Sequence, residues 1–315
     1  MAAKISGIDE ILFRWRKEVK EKQRRIISFE ETAAIKMDSL KKWIFPETEP
    51  LDGWEFRQFK FDRHRQRHFT DPDWRPIKVG DHWGGPDMSA FFRCKARMPA
   101  RFKGKKVVLK IYFGGDGMLS VNGKPYHGID PFRDTVLLTS CARGDEQYDF
   151  LAESYIFWHF GESEVKDVEC SHFAVMDQEM NDIYWDFRAA HNVLVMKQLD
   201  PDVREFIRAG LAKAVFLIDQ NEKDPEKFRA AARKAREILR REIYDTKVFR
   251  KEGLLHLCGN SHLDVVFLWT HAEFVRKIGR THTTTLRLME QYPQYTFSQS
   301  QPLLYEEMKA NYPEM

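Results

Sequence analysis

The sequence predicts a multidomain chain of mixed α and β structure: an N-terminal helical arm, a β-sandwich, a helical linker, and the opening of a β/α fold with parallel strands. Three observations carry this. Short apolar runs separated by Gly, Pro and Asp fill the stretch from Trp54 to about Phe160. The apolar period then turns helical from about Asp177 to Tyr244, and from Gly253 onward the texture is strand, helix, strand, helix. The expected boundaries are 1–50, 51–162, 163–252 and 253–315.

In the arm, Ile8, Ile11, Leu12 and Trp15 recur at helical spacing among charges, and "FPETEPLDG" then breaks the pattern with two prolines and a glycine. In the sandwich stretch, "KKVVLKIYFGG" alternates apolar and polar residues. "MLSVNGKPYHG" places Asn-Gly between two strand-like runs, which predicts a hairpin because both turn positions need positive φ. In the linker, Asp200-Pro201 and Asp224-Pro225 each put a capping carboxylate before a proline suited to the first helical turn. Val203, Phe206, Ile207, Val215 and Ile218 form the apolar stripe of the first of these helices, and the second, "EKFRAAARKAREILRREIYD", is alanine-rich with charges on its outer face. In the final region "LLHLC" reads as a buried strand, "YTFSQSQ" as a second, and "LLYEEMKANYP" as a closing helix.

The totals exclude some functions. Across 315 residues, 51 Lys and Arg stand against 48 Asp and Glu, a formal charge of +3. That balance disfavours a dedicated nucleic-acid or membrane-surface binder. One local exception is "RQFKFDRHRQRHF", residues 57–69, where basic residues interleave with aromatics as in single-strand binders. In a nearly neutral chain it reads better as a charged strand edge that discourages aggregation, so no nucleic-acid partner is expected. Cys94, Cys141, Cys170 and Cys258 form no C-x-x-C pair, which fits thiols in a reducing compartment. The charged start lacks a signal-peptide core and no apolar run is long enough to span a bilayer, so the expectation is a cytoplasmic protein with no membrane partner.

The chemistry concentrates in "LLHLCGNSHLDVVFLW", residues 254–269. Side chains two apart on an extended segment share a face, so His262 and Asp264 point together while Leu263 points into packing. They follow the apolar run, at the strand end where β/α folds carry their sites. An imidazole nitrogen beside a carboxylate oxygen makes half a site for Zn²⁺ or a similar ion, and equally a satisfied polar pair. His256 inside the run reads as a core histidine, and His271 and His282 as members of an exposed helix face.

"GNSHLDVVFLW", followed by "EFVRKIGRTHTTTLRLMEQYPQYTFSQSQPLLYEEMKANYP", resembles the start of the catalytic domain of glycoside hydrolase family 38 α-mannosidases, in the cytosolic, vacuolar and bacterial branch. Upstream, "IKVGDHWGGPD", "FGGDGMLSVNGKPYHGID" and the helical linker resemble that branch's N-terminal sandwich, of galactose-binding-like type, and its connector. The resemblance implies that the last region begins a β/α barrel, incomplete in two strands. It implies one Zn²⁺ held by His262, Asp264, a later Asp and a later His. The metal would grip hydroxyls of a terminal α-mannoside and help distort its ring. Phe267 takes the place of the family's usual Trp in the sugar subsite, and Thr270 that of a proline. The family often forms homo-oligomers, which leaves oligomeric state open here.

Retaining glycosidases need a carboxylate nucleophile and an acid/base carboxylic acid. The family's nucleophile, itself a zinc ligand, lies well downstream of the H-x-D motif, so the expectation is the N-terminal portion of an α-mannosidase, without a catalytic residue of its own and inactive alone. Glu273, Glu290 and Glu306 read as solvated helix faces. The rival reading is a non-catalytic carbohydrate-binding or assembly module working through the sandwich.

Overall fold

The computed structural model describes residues 27–62, 64, 66–156, 165–248 and 254–315; the helix expected around Ile8 to Trp15 lies outside them. The chain forms two compact units. One takes Met1–Lys42 with Asp182–Phe249, the other Trp43–Asn181 with Arg250–Met315.

The first unit is helical. It draws on α1 (Phe29–Ile44), α2 (Gln178–Leu194), α3 (Pro201–Val215), α4 (Pro225–Leu239) and a π-helical turn at Arg240–Tyr244. Both Asp-Pro signals hold: Asp200 accepts from the amides of Asp202 and Val203, and Asp224 from those of Glu226 and Lys227. Ile207 and Val215 of α3 and Phe228, Ala232, Ala235 and Leu239 of α4 turn inward. Polar ties add to the packing, with Arg236 donating to Asp186 at 2.7 Å and the Tyr244 hydroxyl to the Asp186 carbonyl at 2.5 Å.

The second unit is built on two antiparallel sheets. The smaller sheet orders β1 (Glu47–Pro50), β13 (Cys170–Val175), β7 (Val107–Tyr112) and β10 (Thr135–Thr139). The larger follows β3 (Arg67–Phe69), β2 (Trp54–Phe61), β6 (Ser89–Arg97), β11 (Gln147–Tyr155), β8 (Asp116–Val121) and β9 (Lys124–Ile129), with β4 (Arg75–Ile77) also on β2. A separate ribbon pairs β5 (His82–Gly84) with β12 (Val165–Asp167).

The sandwich core is aromatic. Phe92 stacks on Phe113 at 4.2 Å between centroids, Trp54 meets Phe113 edge-on at 4.8 Å, and the Trp54 indole donates to Ser171 at 2.6 Å. The β8–β9 connection is the expected Asn-Gly hairpin, with Asn122 at φ 52° and Gly123 at φ 78°. Strands β1 and β13 lie on either side of the 51–162 span expected for the sandwich. β1 was obscured by Pro50, which an edge strand tolerates because its N–H side needs no partner.

The last region supplies β14 (Gly259–Asn260), α5 (His271–Gln291), β15 (Phe297–Ser298) and α6 (Pro302–Asn311). β14 and β15 pair in parallel, as the texture predicted, but over two residues each. Residues 254–258 correct the expectation of a buried strand: Leu254, Leu255 and Leu257 are about four-fifths exposed, and His256 is exposed rather than in a core. Parallel strands need cover on both faces, and a two-residue ladder gives this run no such cover.

Candidate functional site

Gly259 opens the site. Its amide donates to the Thr296 carbonyl at 2.8 Å, and a Cβ there would meet the Tyr295 hydroxyl, so a larger residue would displace that ring. Asn260 reinforces the pair by donating from Nδ2 to the Ser298 carbonyl at 2.7 Å. From Ser261 to Val266 burial alternates residue by residue. Leu263 and Val265 pack against Phe274, Ile278, Leu304 and Met308, while the His262 and Asp264 side chains are 82% and 49% exposed. His262 Nε2 stands 3.3 Å from Asp264 Oδ1. The Gln301 side chain donates to the Leu263 carbonyl at 3.0 Å and fixes the segment from below.

Beyond the pair, Phe267 is 62% exposed and meets Trp269 edge-on at 6.0 Å. Thr270 caps α5 through the Glu273 amide. Trp269 packs beside the apolar cluster, and Lys277 Nζ sits 4.6 Å from its ring centre.

The structure brings together residues that the sequence reading set apart. Glu273, expected on a solvated face, is fully buried. Its carboxylate meets Arg276 at 2.7 Å and Arg280 at 2.6 Å. Each arginine also reaches the sandwich: Arg276 to Glu153 at 3.1 Å and Ser89 at 3.0 Å, Arg280 to Asp116 at 3.4 Å. Lys277 joins Asp116 at 3.3 Å. Burial alone would raise the Asp116 carboxyl, but Arg280 and Lys277 outweigh it and hold the group below the usual carboxylate value. At Gly128 the backbone approaches α5 so closely that its amide donates to Thr284 Oγ1 at 3.0 Å. The available signal was the i, i+3, i+7 spacing of Glu273, Arg276 and Arg280, which puts three ionic side chains on one helical face. Glu290 and Glu306 do lie on exposed faces. His271 and His282 are half-buried, the first paired with Glu307 at 3.2 Å and the second accepted by the Ile278 carbonyl at 3.0 Å.

Within the basic stretch 57–69, Arg57 and Arg67 are engaged in the sandwich. Arg57 lies 3.9 Å from the Phe69 ring centre, and Arg67 sits over Phe61 and pairs with Glu153 at 3.2 Å. Both cover aromatic surface; Arg67 is matched by a carboxylate, and Arg57 donates from Nε to the Asp71 carbonyl at 3.1 Å.

Among the described residues no group of three or more His, Cys, Asp or Glu is placed to hold a metal ion. The donor types of His262 and Asp264 suit zinc, and two donors leave a tetrahedral set incomplete. Among the described residues no helix is long and apolar enough to cross a membrane.

Residues 252–315 match the glycosyl hydrolases family 38 N-terminal domain, and residues 51–191 match the α-mannosidase jelly roll domain. Both matched models describe domains of α-mannosidases, the jelly roll and the family 38 N-terminal domain. It is 23% identical to α-mannosidase G of Dictyostelium discoideum over 77% of this chain and 23% of that one. It is 25% identical to human α-mannosidase 2C1 over 76% of this chain and 24% of that one. The chain thus spans about a quarter of the length of the curated relatives it matches. Among solved structures, a β-glucuronidase of Ruminococcus gnavus overlaps 41% of this chain and 28% of its own at 13% identity, with a TM-score of 0.28 that is too low to bear on the fold.

Proposed function

We propose that this chain provides the N-terminal part of a zinc-dependent retaining α-mannosidase acting on terminal α-mannosides of oligosaccharides. The observation that carries the reading is the His262–Asp264 pair: both side chains face solvent together, 3.3 Å apart, while Leu263 and Val265 anchor the segment beneath them. His262 and Asp264 would be two of the zinc ligands, and Phe267 would offer its exposed ring to the sugar. When bound, zinc supplies Lewis-acid contacts to sugar hydroxyls. This chain's own residues hold the two donors in register, and the ion pairs of α5 fix the helix that follows them.

Among the described residues, Glu273, Glu290 and Glu306 do not supply the carboxylate pair of glycoside hydrolysis. Glu273 is neutralised by two arginines, and Glu290 and Glu306 sit on exposed helix faces. Turnover by the 315-residue chain by itself is therefore expected to be negligible. A cytoplasmic location and homo-oligomeric assembly belong to the same reading, the former supported by four free, unpaired cysteines.

Zinc titration tests it directly. The chain should take up one zinc ion weakly, and His262→Ala and Asp264→Ala should each remove that uptake. Zinc uptake untouched by both substitutions would sink the assignment.

A further inference from the structure

Beside the H-x-D segment, β8, β9 and α5 enclose a cleft of about 300 Å³, the lower end of the range for ligand sites. Its wall includes Ser261 and Leu263, on either side of His262, together with Asp116, Asp130, Arg133 and Lys277. A second cleft of about 240 Å³ shares Asp116 and Lys277 with the first and is lined by Trp269 and Pro131. The β9–β10 loop thus separates the two: Asp130 and Arg133 face one, Pro131 the other.

That loop is rigidly made. Asp130 accepts the Phe132 amide on its carboxylate at 2.8 Å and the Arg133 amide on its carbonyl at 3.0 Å, and its carboxylate also pairs with the Arg133 guanidinium. The turn holds the Phe132 ring 93% exposed, the most exposed large apolar side chain among the described residues. Lone exposed apolar residues are common. This one stands on a fixed turn between the two clefts.

The charges lining the first cleft are matched internally, Arg133 by Asp130 and both Lys277 and Arg280 by Asp116. Such a wall sets up little net field for a phosphate. It does offer carboxylate acceptors and cationic donors alongside the hydroxyls of Ser261, Thr281 and Tyr295. Donors and acceptors in balance, with the Phe132 ring exposed on the adjoining turn, suit an uncharged polyhydroxylated ligand.

We propose that the Asp130–Arg133 loop of the sandwich and the facing side of α5 form an accessory carbohydrate subsite, which takes the part of an oligosaccharide extending away from the His262–Asp264 end. The choice of mannose as the sugar rests on the α-mannosidase reading above; the subsite itself does not. Arg133 and Asp130 hydrogen-bond ring hydroxyls, and Phe132 stacks on a sugar face.

The test titrates α-linked mannotriose into the 315-residue chain by calorimetry, with inorganic phosphate as competitor. The wild type should bind mannotriose without competition from phosphate. Arg133→Ala should weaken binding about tenfold, the scale of a lost hydrogen bond to a charged group. Phe132→Ala should weaken it about threefold, and its ring is too exposed for the change to disturb folding. Wild-type binding by both variants, displacement of the sugar by phosphate, or no binding at millimolar mannotriose would each overturn the subsite. Zinc uptake through His262 and Asp264 without mannotriose binding removes the subsite and leaves the α-mannosidase reading intact. Mannotriose binding that depends on Arg133 and Phe132, without zinc uptake, does the reverse.

Discussion

Arg280 donates from Nη2 to Glu273 Oε1 at 2.6 Å, with the glutamate side chain fully buried and the arginine 10% exposed. Arg276 closes on the other carboxylate oxygen, and both arginines continue to carboxylates of the sandwich. Two cations around one enclosed anion, each with a second anion beyond, form a network that compensates its own charge. The join between α5 and the sandwich is therefore ionic where most such contacts are apolar.

Removing the central anion should be costly. Glu273→Gln leaves Arg276 and Arg280 enclosed without their carboxylate, and breaking a buried pair costs roughly 3–5 kcal/mol. Glu290→Ala, on an exposed part of the same helix, should stay within about 0.5 kcal/mol. Urea unfolding of the two variants, side by side, checks the contrast; equal midpoints would show that the network adds nothing.

Acid should weaken the fold in two windows. Burial pushes the His127 imidazole below its usual 6.5. A group held low in the fold adds stability that is complete above its unfolded value and is lost as pH falls from there through the folded one. His127 thus acts below pH 6.5, and Asp116, held under its usual 3.8, only below pH 3.8. His127→Asn should lessen the fall of the thermal midpoint across the milder window, which His172 shares. Asp116→Asn should leave that window unchanged and shrink the more acid one, which Asp62 and Glu146 share.

Close approach at Gly128 makes a steric prediction. An added Cβ would lie 2.7 Å from Thr284 Oγ1 and 3.1 Å from the Arg280 carbonyl, so Gly128→Ala must push α5 away or strain β9. Overpacking of this kind costs about 1–3 kcal/mol. Protection of the α5 amides against hydrogen exchange should fall, while strands β6 and β11 keep theirs.

Phe267→Ala should leave the thermal midpoint unchanged, since the ring is 62% exposed. Any mannoside affinity of the His262–Asp264 end should drop severalfold with the lost stacking face, about 1 kcal/mol. Phe267→Trp should restore it or raise it.

Where local chemistry decides, the sequence reading and the structure agree. The Asn122-Gly123 turn and the Asp200 and Asp224 caps are contacts made within a few residues. The H-x-D geometry is local as well, because alternation along an extended segment sets which way His262 and Asp264 face. Long-range partners stay hidden. Glu273, Arg276 and Arg280 carry the spacing of an ordinary solvated face, and only Asp116 and Glu153, more than a hundred positions earlier, turn that face inward. Leu254, Leu255 and Leu257 err in the opposite direction: the composition is that of a buried strand, but burial needs neighbours that a five-residue run cannot supply by itself.

Gly128 and Thr284 are hydrogen-bonded across 156 residues of sequence. In a chain made from its N-terminus, β8 and β9 emerge long before α5, and a sandwich with its own aromatic core can close while the later segment is still being synthesised. Glu153 and Asp116 are then already in place when Arg276 and Arg280 arrive. The sandwich then offers a template for α5, with Asp116 and Glu153 standing where Arg280 and Arg276 find their second carboxylates.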